Sequence, residues 1–233
     1  MDSQEFHFKQ FSVCHAGSAM KVGTDGMLIG LLSECSGHRQ LDIGTGSGLV
    51  SLLLAQRNLE ALITGVEIDV EAAIQAKQNF MKSPWSARME SICGDVSTFQ
   101  PEDPFDVIVC NPPYYEHSPQ TSTESRDCAR ITEKLSREML VSTVVRLLAP
   151  KGYFSVILPY EGVDKFILLC WQNNLYLFHR ILIYTKKGKP CKRVVLVFSR
   201  SRGVCCENTL TLLASDGSRS EAYQQLVQDF FIR

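Results

Sequence analysis

The order of apolar runs predicts an α/β domain built on a mainly parallel sheet that finishes antiparallel. Three observations carry this expectation. Short aliphatic runs alternate with segments of helical spacing from residue 39 to residue 158. The first of those runs ends in the glycine-rich turn Gly44-Thr45-Gly46-Ser47-Gly48. The last two β-rich runs, 178–184 and 193–198, flank Lys187-Gly188-Lys189-Pro190, which reads as a hairpin turn and gives an antiparallel edge strand. Sheets that bind nicotinamide dinucleotides typically end in parallel strands, so this ending speaks against that class.

Element by element, Arg39 to Ile43 reads as the first strand and Leu49 to Arg57 as the helix after the turn. Leu62 to Glu67 is a second strand, and Glu71 to Met81, rich in Ala, Gln and Lys, a helix. Arg88 to Cys93 and Phe105 to Cys110 are the third and fourth strands. Glu133 to Leu148 has helical spacing closed by Pro150 and Gly152, and Tyr153 to Leu158 is a fifth strand. Ser220 to Phe230 has helical spacing again and suits a helix packed on the outside. Met20 to Gly26 and Tyr115 to Ile131 read as loops, and loops of that kind in a compact domain usually serve function.

Composition narrows the classes. The 233 residues suit one domain, expected as an N-terminal extension (1–38), a core (39–200) and a C-terminal appendage (201–233). A formal net charge of −1 argues against broad electrostatic wrapping of nucleic acid while leaving room for a local basic patch. Nine scattered cysteines without a C-x-x-C pair, and histidines without ligand spacing, point to no metal and to a reducing, cytoplasmic setting. Neither a signal peptide nor a membrane span is expected. A monomer is the default, the sequence leaving oligomeric state open.

The turn Asp42-Ile43-Gly44-Thr45-Gly46-Ser47-Gly48 has the spacing G-x-G-x-G. A pyrophosphate binder wants its third glycine one residue later, so this turn better suits a small amino-acid moiety lying in the crevice at the carboxyl ends of the strands. A tight turn without ligand is the competing reading. Glu67 closes the second strand and can accept hydrogen bonds from both hydroxyls of a ribose. Asp69, two residues on, better suits a helix cap. Asp95 follows the third strand and serves equally well as an acceptor for an adenine amino group or as a turn residue.

Asn111-Pro112-Pro113-Tyr114 follows the fourth strand. Two prolines stiffen the backbone and remove two donors, leaving carbonyls with little freedom. An exocyclic amino nitrogen is planar and a poor nucleophile, because its lone pair is delocalised into the ring. The Asn111 side-chain carbonyl and the Pro112 backbone carbonyl can each accept one of its N–H groups, orienting the nitrogen toward a methyl donor. Tyr114 can stack on the target ring. A plain proline turn with an aromatic staple is the bland alternative.

With these residues in view, the chain resembles the class I S-adenosylmethionine-dependent amino-methyltransferases, and more closely the bacterial valine-tRNA adenine-37 N6-methyltransferase family. Phe8-Lys9-Gln10-Phe11, Met20-Lys21-Val22-Gly23-Thr24-Asp25-Gly26, Asn111-Pro112-Pro113-Tyr114-Tyr115 and the tail Ser220-Glu221-Ala222-Tyr223 carry the resemblance over nearly the whole chain. It implies a Rossmann-like sheet of seven strands with the last antiparallel. It also implies S-adenosyl-L-methionine held by Asp42, Gly44, Thr45, Gly46, Gly48, Glu67, Asp95 and Asn111. Lys21 and Thr24 would lie in a segment folded over the cofactor, and the target would be a tRNA anticodon loop held at Asn111, Pro112 and Tyr114.

Eight basic residues between Arg180 and Arg202, uninterrupted by Asp or Glu, offer a strip for phosphates, with Lys186, Lys187 and Lys189 at the hairpin. A solvated hairpin guarded by lysines is the alternative. Arg126 and Arg130 follow the tetrapeptide and suit a place near the target. Lys9, His7 and His15 could extend the surface. Competing functions are a protein-glutamine N5-methyltransferase, which usually carries a larger N-terminal domain, a ribosomal RNA guanine N2-methyltransferase, and a DNA adenine methyltransferase, which would need a target-recognition region. A non-catalytic RNA chaperone would keep the fold but has no use for an intact Asn111 to Tyr114.

Overall fold

The computed structural model describes residues 5–15, 23–112 and 135–232. The strands are β1 (Glu5–His7), β2 (Ser12–Cys14), β3 (Arg39–Ile43), β4 (Leu62–Glu67), β5 (Met89–Cys93), β6 (Phe105–Cys110), β7 (Leu148–Pro159), β8 (Tyr176–Lys186), β9 (Cys191–Ser199) and β10 (Cys206–Leu213). The helices are α1 (Thr24–Leu32), α2 (Leu49–Arg57), α3 (Val70–Lys82), α4 (Arg137–Leu147), α5 (Val163–Gln172) and α6 (Glu221–Val227).

Eight strands form one sheet in the order β10-β8-β9-β7-β6-β3-β4-β5. The order reverses at β3: the chain runs outward through β4 and β5, then restarts on the other side at β6 and β7. β9 is antiparallel to both β7 and β8, whereas β10 pairs parallel with β8. The sequence places the antiparallel strand at an edge. In the fold it is internal, and β10 extends the sheet beyond the hairpin.

Alternation across the sheet builds two cores. On β6, Val107 and Val109 face the layer holding α1, α2 and α3, while Phe105, Ile108 and Cys110 face the layer holding α4 and α5. Burial of each such aliphatic side chain stabilises the fold by about 1.5–3 kcal/mol. α3 shows why the local sequence folds as it does. Asp69 caps it by accepting from the Ala72 N–H at 2.9 Å, and Ala72, Ala73, Ala76 and Phe80 line its buried face.

The N-terminal hairpin β1–β2 docks through aromatics. Phe8 stacks on Phe11 with ring centroids 4.4 Å apart, and Phe11 meets Trp85 edge-on. Phe8 forms a β-bridge with Phe231, and the Lys9 N–H donates to the Phe230 carbonyl at 2.8 Å. The first and last described segments thus close on each other.

Several elements depart from expectation. Met20 to Gly26 reads as a loop, yet α1 starts at Thr24. Its sequence TDGMLIGLL is apolar all round because α1 is buried, so it lacks the stripe that marks a surface helix. β7 starts at Leu148 rather than Tyr153, with a register shift between Phe105 and Val107 on its partner. The hairpin strands run longer than the β-branched cores suggest, and α5, β1, β2 and β10 carry no sequence expectation. Among the described residues, no helix is long and apolar enough to cross a membrane.

Candidate active site

The parallel register lines up four strand ends. Ile43 pairs with Val66 on one side and Cys110 on the other, and Glu67 pairs with Cys93. The residues that follow, Asp95, Glu67, Gly44 and Asn111, therefore succeed one another along one edge. Adjacent strands lie about 4.8 Å apart, so Asn111 starts one strand away from the glycine turn. That edge is the carboxyl edge, and the turn sits where strand order reverses, the usual crevice of such sheets.

Gly44, Gly46 and Gly48 have φ of 69°, 57° and 88°, all left-handed. Gly48 also needs to be small: a Cβ there would lie 2.5 Å from the Phe80 ring. At Gly44 nothing lies within 4 Å of a would-be Cβ, so that face of the turn is open to a ligand. The Gly44 and Thr45 N–H groups donate to the Val66 carbonyl, which ties the turn to β4.

Three polar side chains brace the turn. Glu67 Oε2 accepts from the Gly46 N–H at 2.8 Å and its Oε1 from the Asp69 N–H at 3.0 Å. Asp42, 1% exposed, lies beneath the turn and uses Oδ2 to accept from Thr45 Oγ1, Ser51 Oγ and the Ser51 N–H. Burial pushes the Asp42 carboxyl up to about 6; the Thr45 and Ser51 hydrogen bonds oppose the rise and the nearby Glu67 charge adds to it. Asn79 reaches over from α3. Its Nδ2 donates to the Ser47 carbonyl at 2.7 Å and the Cys14 carbonyl at 2.8 Å, and its Oδ1 accepts from the Cys14 N–H. This one amide joins the glycine turn to the N-terminal hairpin.

Other expected site residues divide. Thr24 is exposed at the start of α1. Asp95 is exposed and accepts from the Ser97 N–H at 2.8 Å, a turn geometry. Asn111 and Pro112 are half-buried at the end of β6, and a Cβ on Gly26 would lie 4.0 Å from Asn111 Nδ2. Lys21, Pro113, Tyr114, Arg126 and Arg130 lie outside the described residues, as does the whole loop expected from Tyr115 to Ile131.

The basic strip splits into two kinds of residue. Arg180 pairs with Asp164 and Glu207, Arg193 with Asp25, and Arg202 covers the Tyr176 ring. Arg200 donates to the Val145 and Leu148 carbonyls. Lys186, Lys187, Lys189 and Lys192 make no ion pair among the described residues. Pro159 at the end of β7 pairs with Arg193 near the start of β9, so the hairpin turn projects from the same edge as Asn111. Among the described residues, no group of three or more His, Cys, Asp or Glu side chains could hold a metal.

Sequence reasoning gives no role to Asn79 or Ser51, and it places Asp25 in the covering segment and Arg193 in the basic strip without pairing them. Asn79 offers one signal, as a poor helix former inside an Ala-rich helix. The Asp25–Arg193 pair offers none, because 168 residues separate its members.

Comparison with known proteins agrees with this geometry. Residues 7–154 match the family model of the methyltransferase small domain. A tRNA1(Val) (adenine(37)-N6)-methyltransferase of Phocaeicola vulgatus is 42% identical over 233 residues, covering 100% of this chain and 99% of its own. One of the same name from Photorhabdus laumondii is 39% identical over 231 residues, covering 97% of this chain and 95% of its own. A crystal structure of a predicted O-methyltransferase from Agrobacterium tumefaciens superposes with a TM-score of 0.70 at 21% identity, covering 88% of this chain and 96% of that one, which speaks to the fold alone. With the strand order, the glycine turn and the Asn111-Pro112 strand end all accounted for, the chain belongs to the methyltransferase small domain family and, through its full-length relatives, to the tRNA1(Val) (adenine(37)-N6)-methyltransferases.

Proposed function

We propose that this methyltransferase modifies the N6 amino group of an adenine in tRNA, at position 37 of a valine tRNA, the substrate named for its relatives. The observation that carries the reading is the placement of Asn111 and Pro112 one strand from the open face of Gly44. S-adenosyl-L-methionine is the cofactor, and it supplies an electrophilic methyl group on a sulfonium.

The residues present fit that cofactor. The open left-handed turn at Gly44 takes the amino-acid end, with Thr45, Gly46 and Gly48 shaping the turn. Glu67 stands at the next strand end for the ribose, and Asp95 at the one after for the adenine. Asp42 acts from below, holding Thr45 and Ser51. Residues 1–38 complete the pocket through Lys21 and Thr24, around the core at 39–200 and the appendage at 201–233.

On the substrate side, the Asn111 side-chain carbonyl and the Pro112 carbonyl accept the two N–H groups of the target, and Tyr114 stacks on its ring. Fixing the nitrogen favours lone-pair density directed at the methyl carbon, so positioning and electrostatics supply most of the rate. Arg126, Arg130, Lys186, Lys187 and Lys189 take RNA phosphates, in a cytoplasmic, monomeric enzyme.

The test is transfer of labelled methyl from cofactor to total tRNA from cells lacking this enzyme, followed by nucleoside analysis. N6-methyladenosine in one tRNA is expected. Label in protein and none in RNA would redirect the assignment to a glutamine side-chain amide. Asn111→Ala should keep cofactor binding while turnover falls by about 10²–10³-fold; normal turnover removes the role given to Asn111.

A further inference from the structure

Arg193 differs from the other arginines of the basic strip in what it holds. Its Nε donates to Asp25 Oδ2 at 2.8 Å, and both side chains are half-buried. Asp25 lies in the first turn of α1, whose N-cap, Gly23, supplies no side-chain hydrogen bond. The first backbone bond of that turn, from the Met27 N–H to the Gly23 carbonyl, is 3.2 Å long. A carboxylate in this turn also interacts favourably with the helix dipole.

Two chains of contact meet at the pair. On one side Asp25 precedes Gly26, where a Cβ would come within 3.1 Å of Leu49 Cδ2 and 4.0 Å of Asn111 Nδ2. The first turn of α1 is thus packed beside the Asn111 amide and follows directly on the segment expected to cover the cofactor. On the other side Arg193 follows Lys192 at the base of the hairpin turn. The Lys192 carbonyl accepts from the Tyr160 N–H at 3.2 Å and from Arg193 Nη1 at 3.1 Å, which anchors that base to the end of β7.

We infer that the Asp25–Arg193 pair is a positioning element that holds the first turn of α1, and with it the Asn111 amide, in fixed relation to the basic hairpin. The inference rests on the roles proposed above for Asn111 and the hairpin. A partly exposed ion pair adds little to global stability. Its effect is geometric, and small misplacements of a positioning group cost far more in rate than in binding.

The test uses the full chain carrying Asp25→Ala, Arg193→Gln, both together, and the exchanged pair Asp25→Arg with Arg193→Asp. Each single variant should lower single-turnover methylation at saturating RNA and cofactor by about tenfold while the RNA KM stays within about twofold. The double variant should be no slower than either single, since both remove one interaction, and the exchanged pair, which sets a cation against the helix dipole, should regain part of the rate. In the free enzyme, the Met27 amide should exchange hydrogen faster in the single variants than in the wild type.

If Arg193→Gln raises the RNA KM and flattens its salt dependence while Asp25→Ala is harmless, Arg193 is a phosphate contact and the inference fails. It fails equally if the variants melt earlier yet turn over normally. A wild-type enzyme that methylates no tRNA would count against the proposed substrate instead. Met27 protection in the free enzyme then decides, and unchanged protection overturns the positioning role.

Discussion

Around the glycine turn the polar groups bond one another, whereas at the tip of the β8–β9 hairpin the lysines face water. Asp42, Thr45 and Ser51 bond one another, and Glu67 and Asn79 bond the backbone at Gly46 and Ser47, so the turn is held in shape before any ligand arrives. The hairpin keeps its charge uncommitted. The proposed cofactor side is therefore organised at folding, while the proposed RNA side carries charge that a partner must neutralise. Substitutions on the first side should act through stability and cofactor affinity, and those on the second through salt-dependent binding.

The largest stability effect belongs to Gly48→Ala. The new Cβ adopts a left-handed φ and strikes the Phe80 ring, at a cost of about 3 kcal/mol. Chemical denaturation reads the loss, and cofactor affinity should fall with it. A neutral result would mean the turn can rearrange, and the contrast between the two regions would weaken.

Asp42→Ala comes next, at about 2 kcal/mol, because three buried donors lose their acceptor. Asp42→Asn separates charge from hydrogen bonding. The unfolded carboxyl titrates near 3.9, and the folded one is raised to about 6, so the folded chain holds the proton more tightly. The contribution of Asp42 is fully present below about pH 4 and is lost as pH rises through about 6. Denaturation at a series of pH values should show this decline in the wild type and its absence in Asp42→Asn. Parallel pH profiles for the two proteins would refute it.

Arg200→Ala sharpens the contrast from inside the basic strip. This arginine bonds two carbonyls at the junction of α4 and β7, so its loss should cost about 1 kcal/mol and leave RNA affinity unchanged. Smallest in stability is the triple change of Lys186, Lys187 and Lys189 to Gln. It should leave the melting temperature in place, weaken RNA binding, and reduce the slope of log affinity against log salt by about 2. An unchanged slope would make the hairpin a solvated edge and nothing more.

Sequence reading worked best where one local rule decides. β4 and β6 were legible because buried parallel strands are largely apolar runs, and β3 and α2 because the three glycines between them make the turn. It failed where burial erases periodicity or where polarity hides a strand. α1 packs so closely on α2 that a Cβ on Gly30 would lie 2.5 Å from Leu53 Cδ1, and such glycines look like loop residues in sequence. The first half of β10 is exposed and largely polar, yet the strand pairs with β8 along most of its length. At the site, the residues at strand ends were visible and those acting across the fold were not. Asn79 and Arg193 gain meaning only from Cys14, Ser47 and Asp25, which the fold brings to them.

The bridge between Phe8 and Phe231 sets an order on biosynthesis. During translation the glycine turn, α3 and the strand bearing Asn111 all emerge long before Phe231 does, whereas the hairpin that Asn79 ties to the turn cannot complete its aromatic seat until then. A ribosome-bound chain can hence build most of the sheet while that side of the crevice stays unlatched. Cofactor capture by stalled chains that carry a C-terminal linker, followed as a function of length, should rise late and sharply, when Phe231 clears the exit tunnel.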